Sequence, residues 1–306
     1  MYNVYYVLVA LLIIATIVPL IRHDSWVFRV FEYPRLQKLF INFWLLMAGA
    51  FFYNHSQLHF ILIIALSLNL CYLIYQVFPF TILGKQQIIK SRFPNGDYNI
   101  SLLIANVYQY NKNSKAYLKL IEQCNADVIL MVETNKWWQN EIDVIGDRYP
   151  HQIKIPLENT YGMLFYSKLE LNDEQINYLV EKDIPSIEVE VKLRSGVWVK
   201  LYCLHPQPPV PQENPRSTER DKEILMVGKR AKKSKMPVIV MGDLNDVAWS
   251  YTTQLFGKIS GLLDPRRGRG FFNSFNAKYF FLRFPLDHIF CSSDFTLSGI
   301  KRMRSC

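Results

Sequence analysis

Pro237-Val238-Ile239-Val240-Met241-Gly242-Asp243-Leu244-Asn245-Asp246 is the stretch on which the fold turns. Its opening residues form a short unbroken apolar run, the pattern of a strand buried on both faces. The run passes directly into Gly-Asp-Leu-Asn. A buried strand fixes its own end in space, so polar residues at that end are delivered to a defined point in a cleft. The same arrangement recurs along the chain. Asn106 closes the apolar strand Tyr98–Asn106, Glu133 follows Ala126–Val132, and His205 follows Val197–Leu204. Asp287 lies within another apolar strand, Leu286–Cys291, where an unpaired carboxylate is costly. One polar strand end is commonplace, but the joint occurrence of these residues describes a site.

Helical patterns separate the strands. Ser114–Cys124 places Tyr117, Leu120, Ile121 and Cys124 at helical spacing, and a charged helix follows Pro215. Tyr161–Tyr166, Ile187–Leu193 and Phe295–Arg302 read as further strands. The pattern is α/β with many β segments.

Outward from this core, the first 90 residues have another character. Of the 35 Lys and Arg and 26 Asp and Glu in 306 residues, only six and two fall before Ser91. Three apolar runs, Val4–Ile21, Leu39–Tyr53 and Leu58–Phe80, approach or exceed the ~20 helical residues that cross a bilayer. Residues 1–90 therefore read as a membrane anchor of three transmembrane helices, and 91–306 as the soluble domain. A cleaved signal peptide fits poorly, because no Lys or Arg precedes the first run and no small-residue cleavage site follows it. Arg22, Arg29, Arg35 and Lys38 in the first connection, and Lys85, Lys90 and Arg92 after the third run, contrast with the uncharged Asn54-His55-Ser56-Gln57. Positive flanks resist translocation, so the charge count puts the soluble domain in the cytoplasm of a multi-pass membrane protein. Half the residues are hydrophobic, which excludes a disordered chain, and five scattered cysteines without a CxxC pair exclude a disulfide scaffold or zinc site.

Chemically, the strand-end set is carboxylates, carboxamides and a histidine. Hard oxygen donors of this kind suit Mg²⁺ or Mn²⁺. Phosphoester hydrolysis needs such a set: a cation to neutralise phosphate charge, amides to hold its oxygens, and acid–base groups for the attacking water and leaving oxygen.

The order Asn106, Glu133, His205-Pro206, Gly242-Asp243-Leu244-Asn245 and Leu286-Asp287-His288 resembles the endonuclease/exonuclease/phosphatase superfamily over residues 98–302. With the apolar N-terminus, Tyr161-Gly162, His205-Pro206-Gln207-Pro208-Pro209 and Gly268-Arg269-Gly270-Phe271 look like its bacterial membrane-anchored members. The resemblance implies a four-layer α/β sandwich, two packed mixed sheets flanked by helices, preceded here by the three transmembrane helices. It also implies a metal-dependent phosphodiesterase cleft at one edge. Position by position, it makes Glu133 the principal metal ligand with Asn106 beside it. Asp243 activates water or stabilises the transition state, Asn245 holds a phosphate oxygen, and His205 stands on the leaving-group or phosphate side. Asp287 matches the carboxylate that orients the family's general-base histidine.

That histidine follows one more strand in a Ser-Asp-His motif, whereas this sequence stops at Arg304-Ser305-Cys306, which reads as a C-terminal truncation. His288 is no substitute, because neighbouring strand residues face opposite sides. Two basic features bear on substrate. Lys229–Lys235 is a dense basic run at a helix end, and Pro265-Arg266-Arg267-Gly268-Arg269-Gly270 with Phe271 and Phe272 suggests a substrate-facing loop in which Arg269 binds phosphate. A nucleic acid is the first expectation for the phosphodiester partner and a nuclease the first for activity. A phospholipid phosphodiesterase held at the bilayer by residues 1–90, and a catalytically dead scaffold, are the alternatives.

Overall fold

A computed structural model describes residues 2–92, 96–279 and 281–303. Its N-terminal part contains α1 (Tyr2–Ile17), the single turn α2 (Trp26–Arg29), α3 (Arg35–Phe51) and α4 (Gln57–Val77). Three long helices match the three apolar runs, but among the described residues only two, Tyr2–Ile21 and Gln57–Phe80 with their terminal turns, are long and apolar enough to cross a membrane. The expectation of three such helices is corrected at α3. Arg35, Gln37, Lys38 and Asn42 occupy its first two turns, leaving a shorter apolar remainder. Those side chains are tied inward: Lys38 Nζ donates to the Ala15 and Phe31 carbonyls, and Asn42 Nδ2 to that of Leu66.

Nine strands follow among the described residues: β1 (Leu102–Asn106), β2 (Val128–Val132), β3 (His151–Ile155), β4 (Met163–Ser167), β5 (Leu171–Asn177), β6 (Ser186–Lys192), β7 (Trp198–Leu204), β8 (Val238–Asp243) and β9 (Asp287–Cys291). They form two sheets, ordered β1-β2-β4-β3 and β5-β6-β7-β8-β9. Each sheet is antiparallel except for one parallel pair, β1 with β2 and β7 with β8.

Strand alternation sets the layers. Val128, Leu130 and Val132 of β2 meet Val199, Leu201 and Cys203 of β7 in the core between the sheets. The intervening Ile129 and Met131 face outward to α5 (Ser114–Cys124) and α6 (Lys136–Ile142). Tyr202 and Leu204 likewise face α7 (Thr218–Lys233) and α8 (Tyr251–Ser260). The result is two mixed sheets flanked by helices, as expected.

One expected strand does not form. Within Phe295–Arg302 only Leu297 makes a bridge, with Lys90. Phe295 and Leu297 lie against the inter-sheet core, which accounts for the apolar spacing, and Leu297 pairs with the Ile89–Ser91 backbone instead of with a sheet strand. Arg304-Ser305-Cys306 lie outside the described residues; Cys71, Cys124, Cys203 and Cys291 are free thiols.

Helix α7 buries Arg220, Glu223, Ile224, Val227, Gly228 and Ala231, the stripe of an amphipathic helix. Glu223 is the anomaly in it. Its Oε1 has no hydrogen-bond partner among the described residues, and burial, with Glu181 nearby, pushes its carboxyl up to about 8. The folded chain then keeps a proton that the unfolded chain releases at about pH 4, so stability falls as pH rises from about 4 to about 8. Glu223→Gln should remove this dependence: in thermal melts its advantage in Tm over the wild type should grow from pH 5 to pH 8. A gap that stays constant across that range would contradict the assignment.

Candidate active site

The two parallel strand pairs assemble the site. Pairing of Asn106 with Val132 brings Glu133, one residue further, beside the end of β1. In the other sheet Leu204 pairs with Gly242, so His205 and Asp243 emerge side by side, and Asp243 pairs with Asp287 on β9. All the predicted site residues except the substrate-binding Arg269 thus come from strand ends, or the turns just beyond them, at one edge of the sandwich.

The sheets meet there through one carboxamide. Asn106 Nδ2 donates to Glu133 Oε1 at 2.5 Å and to Asp243 Oδ2 at 3.1 Å, while its Oδ1 accepts from the Tyr108 amide at 2.9 Å. Asp243 Oδ1 accepts from the Asn245 amide at 2.9 Å, and Asn245 Nδ2 donates to the Pro206 carbonyl at 3.0 Å. The backbone bends sharply to allow this. Glu133 and Asn245 have φ of 59° and 49°, a left-handed conformation uncommon for non-glycine residues and frequent at functional sites. Two glycines permit the close approach: a Cβ on Gly242 would lie 1.9 Å from the Leu204 carbonyl oxygen, and one on Gly162 would lie 1.8 Å from that of Thr134.

Charge is concentrated at this seam. Burial holds the Glu133 carboxyl above its usual range; His205 and the Asn106 amide oppose the shift, and Asp243 adds to it. Burial, followed by the Asp243 carboxylate, pushes Asp287 up to about 7, and its Oδ1 has no hydrogen-bond partner among the described residues. His205 is 2% exposed, its Nδ1 is likewise unpartnered, and its ring lies 5.5 Å from that of Tyr161. Tyr161 Oη donates in turn to Glu213. His288 faces the other side of β9, as strand alternation requires. Arg266 Nη2 donates to its Nδ1 at 2.7 Å, its Nε2 donates to the Asp246 carbonyl at 2.8 Å, and burial drives its pKa down to about 3.

Among the described residues no three His, Cys, Asp or Glu side chains form a metal-binding group. The donors nevertheless fit a cation of the Mg²⁺ type, which takes one or two carboxylates and keeps several waters. Three mutually repelling carboxylates, Asp243 buried and Glu133 and Asp287 half-buried, one with an unpartnered oxygen, are the feature a divalent ion would neutralise. Glu133 is placed to hold it. In the hydrogen bonding above, Asn106 is a bridge between carboxylates, with its oxygen engaged by Tyr108.

Arg269 stands apart from this group. Its guanidinium donates to the carbonyls of Pro265 and Ile88 and to Gln86 Oε1, fastening the loop to the segment that follows the N-terminal helices. Sequence reasoning passed over Tyr161 as a site residue, and also Arg220, which is 1% exposed and donates to the Asn245 carbonyl at 2.7 Å. The Tyr161-Gly162 pair was the signal for the first; nothing local marks the second.

Fold and site define an α/β sandwich with an acidic, amide-lined cleft. The chain belongs to the Endonuclease/Exonuclease/phosphatase family, whose model matches residues 98–306. No curated protein matches the chain. Among solved structures, D. rerio TDP2 complexed with a single-strand DNA product is similar, with a TM-score of 0.53 and 17% identity over 64% of this chain and 85% of that one. A humanized D. rerio TDP2 gives 0.52 and 17% over 63% and 83%. A β-hairpin deletion mutant of Staphylococcus aureus beta toxin gives 0.50 and 16% over 66% and 89%. At these identities the likeness is one of fold.

His205→Ala should lower turnover of a simple diester such as bis-p-nitrophenyl phosphate by about 10²–10⁴-fold while leaving the cooperative melt intact. Joint loss of fold and activity would instead mark His205 as a packing residue.

Proposed function

We propose that the chain is a membrane-anchored phosphodiesterase that depends on a divalent metal ion, Mg²⁺ or Mn²⁺. The observation that carries this reading is the single Asn106 amide shared by Glu133 of one sheet and Asp243 of the other. It gathers the carboxylates that would hold a cation beside the amide and imidazole that would hold phosphate. When bound, the ion supplies charge neutralisation at the phosphate and a more acidic water. Asn245, fixed by Asp243 and the Pro206 carbonyl, holds a phosphate oxygen. Asp243 takes the proton of the attacking water as the P–O bond to the leaving group breaks, and His205 serves the leaving oxygen. Asp287 sits opposite Asp243 in the β8–β9 pair, where its carboxyl faces the same seam.

Membrane anchoring is supported by the outer faces of α1 and α4, which present Val4, Leu11, Ile14 and Leu68 to the surroundings. Charge counting favours a cytoplasmic domain. Arg29, Arg35 and Lys38, three of the charges counted, are also buried in contacts with the rest of the protein.

For the substrate, a phospholipid diester has the stronger support. The segment Ser274–Phe284 adjoins the site, since Ser274 Oγ accepts from the Asp287 amide. It exposes Phe275, Tyr279, Phe281 and Leu282, and it touches α3, where Gln37 Nε2 donates to the Phe281 carbonyl at 2.6 Å. Exposed aromatics beside apolar helices suit a bilayer surface. The basic features that favoured nucleic acid are placed less aptly. Arg269 is engaged as described, and Lys229–Lys233 end a 16-residue helix, about 24 Å long, whose opposite end meets Asn245. A nuclease is the second reading, favoured by His205 beside the carboxylates.

The 306-residue protein in detergent should hydrolyse phospholipid with added Mg²⁺ and lose that activity in EDTA. Glu133→Ala should lower kcat/KM by about 10²-fold or more. Cleavage of plasmid or single-stranded DNA without lipid turnover would select the nuclease. Activity that survives EDTA would overturn metal dependence.

A further inference from the structure

The connection between α1 and α3 reaches into the catalytic loop. Tyr33 Oη donates to the Asn245 carbonyl at 2.9 Å, the same oxygen that Arg220 holds. One residue earlier, the Glu32 carbonyl accepts from Trp249 Nε1 at 2.9 Å. The Tyr33 ring also packs edge-on against Phe284, 5.6 Å away, three residues before Asp287.

Beneath these contacts lies a buried network of ions. Arg29 Nη2 pairs with Asp221 at 3.0 Å and its Nε donates to Ser217, Arg220 pairs with Asp221 and Asp246, and Arg29 lies 3.6 Å from Glu32. Charges with so little access to water hold their arrangement tightly, because removing one leaves its partner uncompensated. Asn245 is thus positioned from two sides. Asp243 and Pro206 hold it from within the catalytic domain, and the connection between the N-terminal helices holds its carbonyl. Its left-handed backbone is a conformation that surrounding contacts must maintain.

We propose that Tyr33 is a positioning residue for Asn245, so that the N-terminal helical unit forms part of the active site and acts as more than a tether. The proposal rests on the phosphodiesterase reading, in which Asn245 holds phosphate. Without the Tyr33 hydrogen bond the carbonyl keeps only Arg220, the turn gains freedom, and the Asn245 amide no longer meets phosphate at a fixed place. Displacements of about 1 Å at a catalytic group cost up to about 10²-fold in rate.

The test is a double-mutant cycle on the 306-residue protein in detergent, with Tyr33→Phe, Asn245→Ala and the pair. Turnover is measured on bis-p-nitrophenyl phosphate, and hydrogen exchange is followed over residues 243–250. Tyr33→Phe should lower kcat by about 10-fold with little change in KM or Tm, speed exchange over 243–250 and leave Val128–Val132 protected. In the Asn245→Ala background it should lower kcat no further. Multiplicative losses, unchanged exchange over 243–250, or normal kcat in Tyr33→Phe when Asn245→Ala is impaired would each overturn the positioning role. Normal turnover in Asn245→Ala would refute the phosphate-holding reading itself, and the proposal with it.

Discussion

Glu133 and Asp243 come from different sheets and are brought together, in a partly buried seam, on one amide group of Asn106. Much of the surrounding structure follows from that contact. Like charges in a poorly solvated seam repel, so the backbone must hold them there. The parallel pairs β1–β2 and β7–β8 do so by directing their carboxyl ends to the same edge, and the left-handed turns at Glu133 and Asn245 aim the groups. Gly162 and Gly242 allow the backbones on either side to approach within distances that no side chain would tolerate.

The legible part of the site was the part written into strand ends. Asn106, Glu133, His205, Asp243 and Asp287 each interrupt or terminate an apolar run, and a strand carries its end to a predictable place. Where the signal was apolar patterning alone, it overreached at α3, which falls short of a membrane span, and at Phe295–Arg302, where Phe295 and Leu297 contribute to the core without joining a sheet. Edge strand β5, Leu171-Asn172-Asp173-Glu174-Gln175-Ile176-Asn177, was missed because most of its side chains face water and leave no apolar alternation. Arg269, expected to bind phosphate, has its guanidinium bonded to the Pro265 and Ile88 carbonyls and to Gln86, contacts that no local pattern announces. Contacts between distant segments, such as Tyr33 with Asn245, have no local pattern that could have announced them.

The N-terminal helices and the catalytic domain are joined by more than the chain between them. Glu32 and Tyr33 bond to the 245–250 turn, Arg29 holds Ser217 and Asp221 at the start of α7, Arg269 grips residues 86–88, and Phe80 joins Val247, Trp249 and Leu286 in a small apolar cluster. A chain built this way cannot pivot freely on its N-terminal helices. Its cleft keeps a set orientation to the apolar helices, a geometry suited to substrates presented at a surface.

The most direct test of the account is a crystal of the protein soaked in Mn²⁺, with anomalous differences measured at the manganese edge. The account predicts one strong peak within about 2–2.5 Å of a Glu133 carboxylate oxygen, lost in Glu133→Ala. A peak that ignores this substitution, or no peak at the seam at saturating Mn²⁺, would contradict a metal-dependent centre built on Glu133.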